Sequence, residues 1–514
     1  MTLHRRTLLA ATAGLAALPH LARAADPVRG GTLRVSVDQA ASVLNPLLTR
    51  VIPEYLVTGM LYSGLTLLAP DMTAKPDLAQ SWSHDDALST WTFVLRPGLT
   101  FHDGTACTAR DVAATFKAIL DPKTASPART NVGPIDRVEA VDDQTVRFVL
   151  KGPFADLPVA LAYTNAKIIP AAIAEGDLKQ LSQKAVGTGA FKLVSFEPDR
   201  RIIVERNPAY YDKARPYLDR VEVLVYPDPT AEASALLSGD TDLISLASAS
   251  EFGRLANVSG VVPLRIPSGQ FLNVNMGCDS KPFSDVRVRQ ALALTVDRDA
   301  MVGFVAQGYG TPGNDSPMNS AYHFFAQHPQ RKPDLVAAKK LLADAGYPNG
   351  LDLTMIASDV PGTRTQMAVA MREMAKPAGF RINVQTMPHA TYLDQVWKKG
   401  SFYVGFYNMQ ATADAIFSLL YTSDSAWNET RWNNKEFDAL IAEGRMTGDD
   451  AKRQDVYAKA QKLIHDEVPS VIPVFFDLLA ARRANVEGFV LNPRAAVFAF
   501  DQVWLGAGAP KRAG

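Results

Sequence analysis

Strand-type and helix-type patterns alternate irregularly along almost the whole 514-residue chain, and this mixture limits the folds that it can adopt. Leu33, Val35 and Val37 alternate with polar residues, as in a β-strand that buries one face. Apolar residues recur at helical spacing in residues 286–300 and again in residues 335–345. Because no regular β-α-β repeat connects these elements, the sequence predicts a multi-lobed α/β architecture.

Three local signals predict where individual elements begin and turn. Residues 138–154 and 189–208 each contain two β-rich runs around a polar turn, which predicts two hairpins. Thr108 is followed three residues later by Asp111, a pairing that resembles a capping box at the start of an amphipathic helix.

The first 24 residues have the three-part layout of an export signal. Arg5 and Arg6 precede an apolar stretch over residues 8–18, and the small-x-small sequence Ala22-Arg23-Ala24 follows. The apolar stretch is too short to span a membrane. We therefore expect cleavage after about Ala24 and a periplasmic location. The paired arginines fit the twin-arginine route, and an ordinary Sec signal fits equally well.

The net charge of the chain excludes some classes of ligand, and its length predicts how many lobes it forms. Removal of residues 1–24 takes away three of the 53 basic residues and none of the 53 acidic ones, which leaves a net charge of −3. A nearly neutral chain lacks the basic footprint expected for nucleic acid or anionic lipid. The remaining length exceeds what a single hydrophobic core usually serves, so we expect two or three lobes.

Residues 101–111, FHDGTACTARD, combine groups that could carry chemistry with groups that could only shape a turn. Adjacent residues on an extended segment point to opposite sides, so Asp103 is poorly placed to orient His102 as a base. Cys107 has no neighbouring base, and Cys107 and Cys278 form no CxxC pattern. The glycines of residues 186–189, VGTG, lack the spacing of a dinucleotide-binding loop. We interpret these segments as structural, and we expect no metal, no cofactor and no catalysis.

Four groups of motifs occur in an order that identifies a family. They are GGTLRVSVD with the LNP turn at residues 44–46, WTFVLRPGLTFHDGTACTARDVAATF, AVGTGAFKLVSFEPDRRIIVERNPAYYDKARPYLDRV, and DVRVRQALALTVDRDAM followed by GYGTPGNDSPM and AAKKLLADAGYPNG. Together they resemble the peptide, opine and nickel class, family 5, of the solute-binding proteins of ABC importers. The resemblance extends over about residues 30–490.

The resemblance implies an α/β, periplasmic-binding-protein-like bilobal fold with mixed sheets, an extra inserted domain and a central ligand cleft. The first lobe would combine residues 25–66, 187–272 and 485–514, the inserted domain would cover residues 67–186, and the second lobe would cover residues 273–484. A monomer would close around a peptide or other small solute and deliver it to an ABC permease and ATPase complex. A ligand sensor is the alternative, and an exported hydrolase is a more distant one.

The family's amino-group anchor has no exact counterpart here. Where peptide binders of this family carry an aspartate, Met409 or Gln410 occurs, and the nearest carboxylate is Asp414. Near the position of the family's carboxylate-binding arginine lie Asp359 and Arg364. Asp359 could face the cleft as a cation anchor, or it could cap the helix that follows.

Aromatic residues are dense between positions 403 and 432, where they are mixed with polar side chains. Trp427 and Trp432, in a polar loop, are expected to line a pocket. Aromatic rings beside carboxylates suit a ligand with an amine or guanidinium group. The complete set of predicted ligand-binding residues is Asn45, Tyr62, Gln270, Phe271, Asp359, Arg364, Tyr407, Asn408, Asp414, Asp424, Trp427 and Asn428.

Overall fold

A computed structural model describes residues 26–182 and 184–508. The predicted export signal lies outside these residues. In the described part of the chain no helix combines the length and the apolar character needed to cross a membrane.

The chain forms short strands and helices in a mixed order, as its patterns predicted. The strands are β1 Thr32–Val37, β2 Thr66–Leu68, β3 Ala74–Pro76, β4 Ala79–His84, β5 Thr90–Leu95, β6 Ile135–Ala140, β7 Thr145–Leu150, β8 Phe191–Glu197, β9 Arg201–Arg206, β10 Arg220–Val225, β11 Leu243–Ile244, β12 Val261–Met276, β13 Gly310–Pro312, β14 Leu351–Ser358, β15 Phe380–Met387, β16 Phe402–Tyr407, β17 Ser470–Arg483, β18 Val486–Glu487 and β19 Trp504–Leu505.

The helices lie between these strands. They are α1 Ile52–Leu61, α2 Ala109–Leu120, α3 Leu157–Ala160, α4 Ala171–Ala174, α5 Pro229–Ser238, α6 Ala249–Leu255, α7 Val286–Ala293, α8 Arg298–Val305, α9 Leu335–Asp344, α10 Thr363–Ala375, α11 His389–Gln395, α12 Ala413–Leu420, α13 Lys435–Met446 and α14 Asp450–Glu467. Short 3-10 helices cover Pro122–Thr124, Pro127–Thr130, Leu178–Ser182, Lys376–Ala378 and Phe500–Gln502.

One eleven-stranded sheet runs through most of the molecule. Ten of its strands follow the order β15-β14-β16-β12-β17-β11-β1-β10-β9-β8, and β13 pairs with β17. A separate four-stranded sheet, β4-β5-β7-β6, contains the first predicted hairpin, and β8 and β9 form the second. The predicted α/β class with mixed sheets is therefore confirmed. The division into three domains stays a prediction.

Two long antiparallel strands, β12 and β17, connect the two ends of this sheet. Residues 261–267 of β12 pair with residues 477–483 of β17, and this half of β17 also pairs with β11. Residues 270–275 of β12 pair with residues 470–476, and this half of β12 also pairs with β16. The register shifts between Pro267 and Gln270. We call the β11 side the first lobe and the β16 side the second lobe.

The crossing between the lobes is fixed by close packing around Gly269. The Gly269 N–H points at the Met409 sulfur at 3.3 Å, and a Cβ on Gly269 would lie 2.6 Å from the Tyr322 ring. Next to it, Asn319 Nδ2 donates to the Ser268 carbonyl at 2.8 Å. Only glycine fits at this point of the chain.

The predicted helix over residues 286–300 is two helices, α7 and α8, which corrects the prediction. The chain turns after Leu294, and Asp297 caps the second helix by accepting a hydrogen bond from the Ala300 N–H at 3.0 Å. Asp297 is a typical N-cap residue, but the apolar pattern continues on both sides of it and hid the break between the helices. The helix over residues 335–345 is confirmed as α9, and Gly346 follows it with φ 97°.

The FHDGTACTARD segment is structural, as predicted. The Asp103 carboxylate accepts hydrogen bonds from Thr105, and the Asp111 carboxylate accepts from the Thr108 N–H at 2.8 Å in a capping box. His102 is half-buried against the VGTG segment, where its ring contacts the backbone of Gly187 and Gly189. The two glycines bring this segment against the end of α1.

Gly187→Ala tests that close approach. A Cβ at Gly187 would lie 2.0 Å from the Leu61 carbonyl oxygen, which is backbone and cannot move aside. We expect the free energy of unfolding, measured by urea denaturation, to fall by about 3 kcal/mol. Gly303→Ala, where nothing lies within 4 Å of the added Cβ, is the matched control and should be neutral or stabilising. Equal stability of both variants would contradict this packing.

Burial also gives His102 a predictable effect on stability. Desolvation is the main cause that lowers its pKa from 6.5 to about 4. Between these pH values the unfolded chain binds a proton that the folded chain does not. Stability should therefore be highest above pH 6.5 and fall by about 2–3 kcal/mol as the pH drops toward 4. His102→Asn should make that decline shallower in denaturation curves recorded across this range, and an unchanged slope would refute the assignment.

Candidate functional site

The candidate site lies where three parallel strands of the second lobe end. Strands β14, β15 and β16 run parallel, and their carboxyl ends lead into α10, α11 and α12. Strand β12 is antiparallel to β16, and its register pairs Phe271 with Tyr407, the last residue of β16. The crossing between the lobes therefore meets the carboxyl ends of the strands, where open α/β sheets bind ligands. We call this region the carboxyl edge.

Arg364, in the first turn of α10, is the most unusual side chain at the carboxyl edge. It is only 8% exposed, and its guanidinium lies over the rings of Tyr392 at 5.4 Å and Phe406 at 5.8 Å. Its Nε and Nη1 have no hydrogen-bond partner among the residues that the structure describes. Burial lowers its pKa. A buried guanidinium whose donors are unused can accept an anionic group.

Glu429 lies at the centre of a buried hydrogen-bond network near Arg364. Its buried carboxylate accepts hydrogen bonds from Tyr403 at 2.7 Å, Asn275 at 2.7 Å, Trp397 at 2.9 Å and the Tyr407 hydroxyl. Burial raises its pKa, and these hydrogen bonds partly offset the rise. Four donors from the protein occupy the carboxylate, so little capacity remains for a ligand amine.

Glu429 and Arg364 influence each other without direct contact. The Glu429 charge raises the pKa of Arg364, against the effect of burial, although the two side chains form no hydrogen bond. Sequence alone does not distinguish Glu429 from Asp424, because both lie in the same polar loop. The positions of Tyr403 and Trp397, set by long-range folding, distinguish the two carboxylates.

Two further predicted residues join Arg364 and Tyr407 at this edge. Gln270 Nε2 donates to Asn408 Oδ1 at 2.7 Å, across the strands β12 and β16. Asn408 is exposed and Gln270 is partly exposed, so this pair forms a polar surface beside the crossing.

Phe271, by contrast, is fully buried in the core against Tyr407, and its ring contributes packing.

The predicted carboxylate Asp414 already has a protein partner. Its Oδ1 accepts from Arg445 Nε at 2.7 Å and from Ser418 at 2.9 Å, and only 5% of the residue is exposed. Burial raises its pKa, and Arg445 opposes that rise. The ion pair joins α12 to α13, so the structure uses Asp414 to hold helices together.

Two predicted asparagines also form hydrogen bonds with backbone groups. Asn45 Oδ1 accepts a hydrogen bond from the Leu47 N–H at 3.0 Å and thereby caps its own turn. Asn428 Nδ2 donates to the Trp432 carbonyl at 2.7 Å. The expectation that Trp432 lines a pocket was wrong, because its ring is 3% exposed and its Nε1 donates to Glu467 at 2.7 Å.

Three predicted residues lie at the surface. Asp359 and Asp424 are exposed, and Asp359 does not cap α10, whose N-cap residue is Gly362. Trp427 is 41% exposed and meets the Trp397 ring edge-on at 4.8 Å.

Tyr62 lies apart from the carboxyl edge. Its ring is buried in the first lobe, where it lines a cavity of about 400 Å³ with Asp77, Lys167, Arg215 and Asp501. The structure thus brings Arg364, Tyr407, Asn408 and Gln270 together at the carboxyl edge. Tyr62 lies elsewhere, in the wall of the first-lobe cavity.

The cysteines form no bond with each other. Cys107 is buried and Cys278 is half-buried, and both are free thiols. Within the described ranges no three histidine, cysteine, aspartate or glutamate side chains are grouped so that they could hold a metal ion.

Arg364 and Arg298 offer a matched test of what a buried guanidinium is for. Arg298 donates through Nη2 to the fully buried Asp315 carboxylate at 2.6 Å and through Nη1 to backbone carbonyls, whereas Nε and Nη1 of Arg364 are both unused. Arg298→Leu should lower the free energy of unfolding by about 3–5 kcal/mol, because it leaves a buried charge without that partner. Arg364→Leu should not lower the stability of the ligand-free protein. Equal losses in thermal denaturation would show that Arg364 is part of the framework.

Comparison with known proteins shows that the chain is similar to bacterial solute-binding proteins. A family model described as "Bacterial extracellular solute-binding proteins, family 5 Middle" matches residues 73–431. The glutathione-binding protein GsiB of Pectobacterium atrosepticum is 28% identical over 519 residues, which covers 98% of this chain and 99% of that protein.

Two solved structures are similar over almost their full length. CtaP from Listeria monocytogenes, an ABC transporter substrate-binding protein, is 26% identical with a TM-score of 0.82, covering 93% of this chain and 99% of the other. AgaA from A. tumefaciens R10, in complex with agropinic acid, is 27% identical with a TM-score of 0.76 and the same coverage. These likenesses confirm the predicted fold class.

Proposed function

The chain belongs to family 5 of the bacterial extracellular solute-binding proteins, and we propose that it captures a small solute bearing a carboxylate, such as a short peptide or an opine, at the carboxyl edge. The second proposed step is delivery of that solute, unchanged, from the periplasm to an ABC permease and ATPase complex. The protein would act as a monomer and without a cofactor.

The observation that supports a carboxylate ligand is the state of Arg364. Its guanidinium is held between Tyr392 and Phe406, it is desolvated, and its Nε and Nη1 have no hydrogen-bond partner in the described chain. Keeping a desolvated charge without a hydrogen-bond partner costs free energy, which a bound carboxylate would recover through charge-assisted hydrogen bonds. Delocalised charge and planar shape suit arginine to this contact.

The same geometry argues against anchoring through the ligand's amine or guanidinium group, which the aromatic and acidic residues between positions 403 and 432 predicted. Of the carboxylates in that region, Glu429 is occupied by four donors, Asp414 is paired with Arg445, and Asp424 is exposed. The rings of Trp397 and Trp427 offer a ligand amine little more, because Lys398 Nζ already lies over them at 5.1 Å and 5.3 Å. An amine on the solute is compatible with this site, but the carboxylate would be its anchor.

The named relatives point to the same chemistry. GsiB is named for glutathione, and AgaA was solved with agropinic acid. Both molecules are amino-acid derivatives that carry carboxylates.

Binding without turnover fits the surroundings of Cys107 and His102. The thiol of Cys107 is buried, and desolvation raises its pKa, which disfavours a thiolate nucleophile. His102 contacts backbone groups and no hydroxyl or thiol nucleophile. We propose that the protein is not an enzyme.

Isothermal titration calorimetry with four solutes tests the proposal. Glutathione, a dipeptide and an opine carry carboxylates, and spermidine carries only amines. We expect at least one of the first three to bind and spermidine not to bind. Arg364→Leu should cost roughly 2–4 kcal/mol of binding free energy, or about 30- to 1,000-fold in Kd.

The control is Arg372→Leu, which removes a guanidinium from the same helix at a site paired with Glu373. It should leave Kd unchanged. Binding of spermidine alone, or equal losses in the two variants, would contradict the carboxylate anchor.

A further inference from the structure

A second cavity, of about 530 Å³, lies between the four-stranded sheet and the second lobe. Trp82 and His84 from β4 and Trp91 from β5 line one wall. Phe324 and the first turn of α14 line the opposite wall. The cavity adjoins the carboxyl edge through residues 411–413, between β16 and α12, but Arg364, Glu429 and Asn408 do not line it. Its volume is typical of a small-molecule pocket.

The wall on the sheet is a continuous aromatic surface. Residues two apart on a strand share a face, so Trp82 and His84 lie side by side on β4. The register places His84 opposite Trp91, and the two rings are 4.6 Å apart. Trp82 lies opposite Phe93 at 5.9 Å and is only half-buried. Such a surface favours a flat ring that can stack on it.

The opposite wall carries an excess of one negative charge. Arg453 and Asp156 form a buried ion pair across the cavity wall. A second carboxylate, Asp450, lies 3.8 Å from Arg453 Nη1 and 3.8 Å from His323 Nε2, and its side chain is 70% exposed. Two carboxylates thus share one guanidinium. The uncompensated charge lies on the side where the cavity opens to solvent.

We propose that this cavity is a second binding site, which takes a planar aromatic molecule with one positive charge. The ring would stack on Trp82, and the cationic group would face Asp450. An aromatic face and a carboxylate on opposite walls attract the same cation, by cation–π and charge–charge contacts.

The cavity lies between two packed cores. Trp91 and Phe93 belong to the core shared with β1, whereas Phe324 and Tyr457 belong to a second core, which also includes Leu68, Met72 and Ala162. A molecule bound in the cavity would contact residues of both cores.

Two indoles that differ in charge test the proposal in the purified full-length mature protein. Tryptamine is cationic and indole-3-propionate is anionic, while their rings are the same. We expect tryptamine to bind at least about tenfold more tightly in calorimetric titration. Equal affinities, or no heat from tryptamine at millimolar concentration, would overturn the proposal.

Two variants of α14 locate the site. Asp450→Asn removes the proposed counter-charge at an exposed position, and it should weaken tryptamine binding about fivefold or more. Asp455→Asn, exposed on the same helix and outside the cavity, should leave the affinity unchanged. Trp82→Ala should weaken binding as well, and its fold can be checked by circular dichroism.

Arg364→Leu separates this proposal from the solute site. It should weaken binding of the carboxylate solute by about 30- to 1,000-fold and leave tryptamine binding unchanged. Loss of tryptamine binding in Arg364→Leu, with no effect in Asp450→Asn, would show that the indole enters the carboxyl edge and would refute a second site.

Discussion

The pairing of β12 with β17 is the constraint on which the rest of the structure depends. Both strands pass from one lobe to the other, and each half pairs with a different neighbour, β11 or β16. Their register breaks between Pro267, which has no N–H to donate, and Gln270. Bending at this break disturbs few ladder hydrogen bonds, because the strands stay paired on both sides of it. The carboxyl edge adjoins the break, so movement there would open or close the candidate site.

Buried charge shows which contacts are structural and which are left for a ligand. Asp315 accepts from Arg298 and Arg331, and Asp414 accepts from Arg445, so these carboxylates have guanidinium partners inside the protein. Arg364 has aromatic neighbours but no hydrogen-bond partner at Nε or Nη1. A carboxylate that arrives with a solute would complete the same pattern. Binding would then replace an unfavourable buried charge by a paired one, which is a physical reason for the lobes to close.

Local features were predictable from sequence, and long-range ones were not. The β8–β9 hairpin, the Thr108–Asp111 capping box and helix α9 each depend on residues close together in the chain. The order of motifs predicted the family because the motifs come from segments spread over about residues 30–490. Glu429 was missed because its donors come from strands and loops up to 154 residues away. Trp432 was placed wrongly for the same reason, since its polar neighbours in sequence gave no sign of its burial.

Mass spectrometry of the solute that co-purifies with the protein tests the central claim most directly. Wild-type protein and the Arg364→Leu variant would be purified from the periplasm without denaturation, exchanged into volatile buffer and then unfolded to release bound molecules. The account predicts one small molecule with at least one carboxylate, of unchanged covalent structure, released from wild type and absent from the variant. A solute without a carboxylate, or one released equally by both proteins, would contradict it.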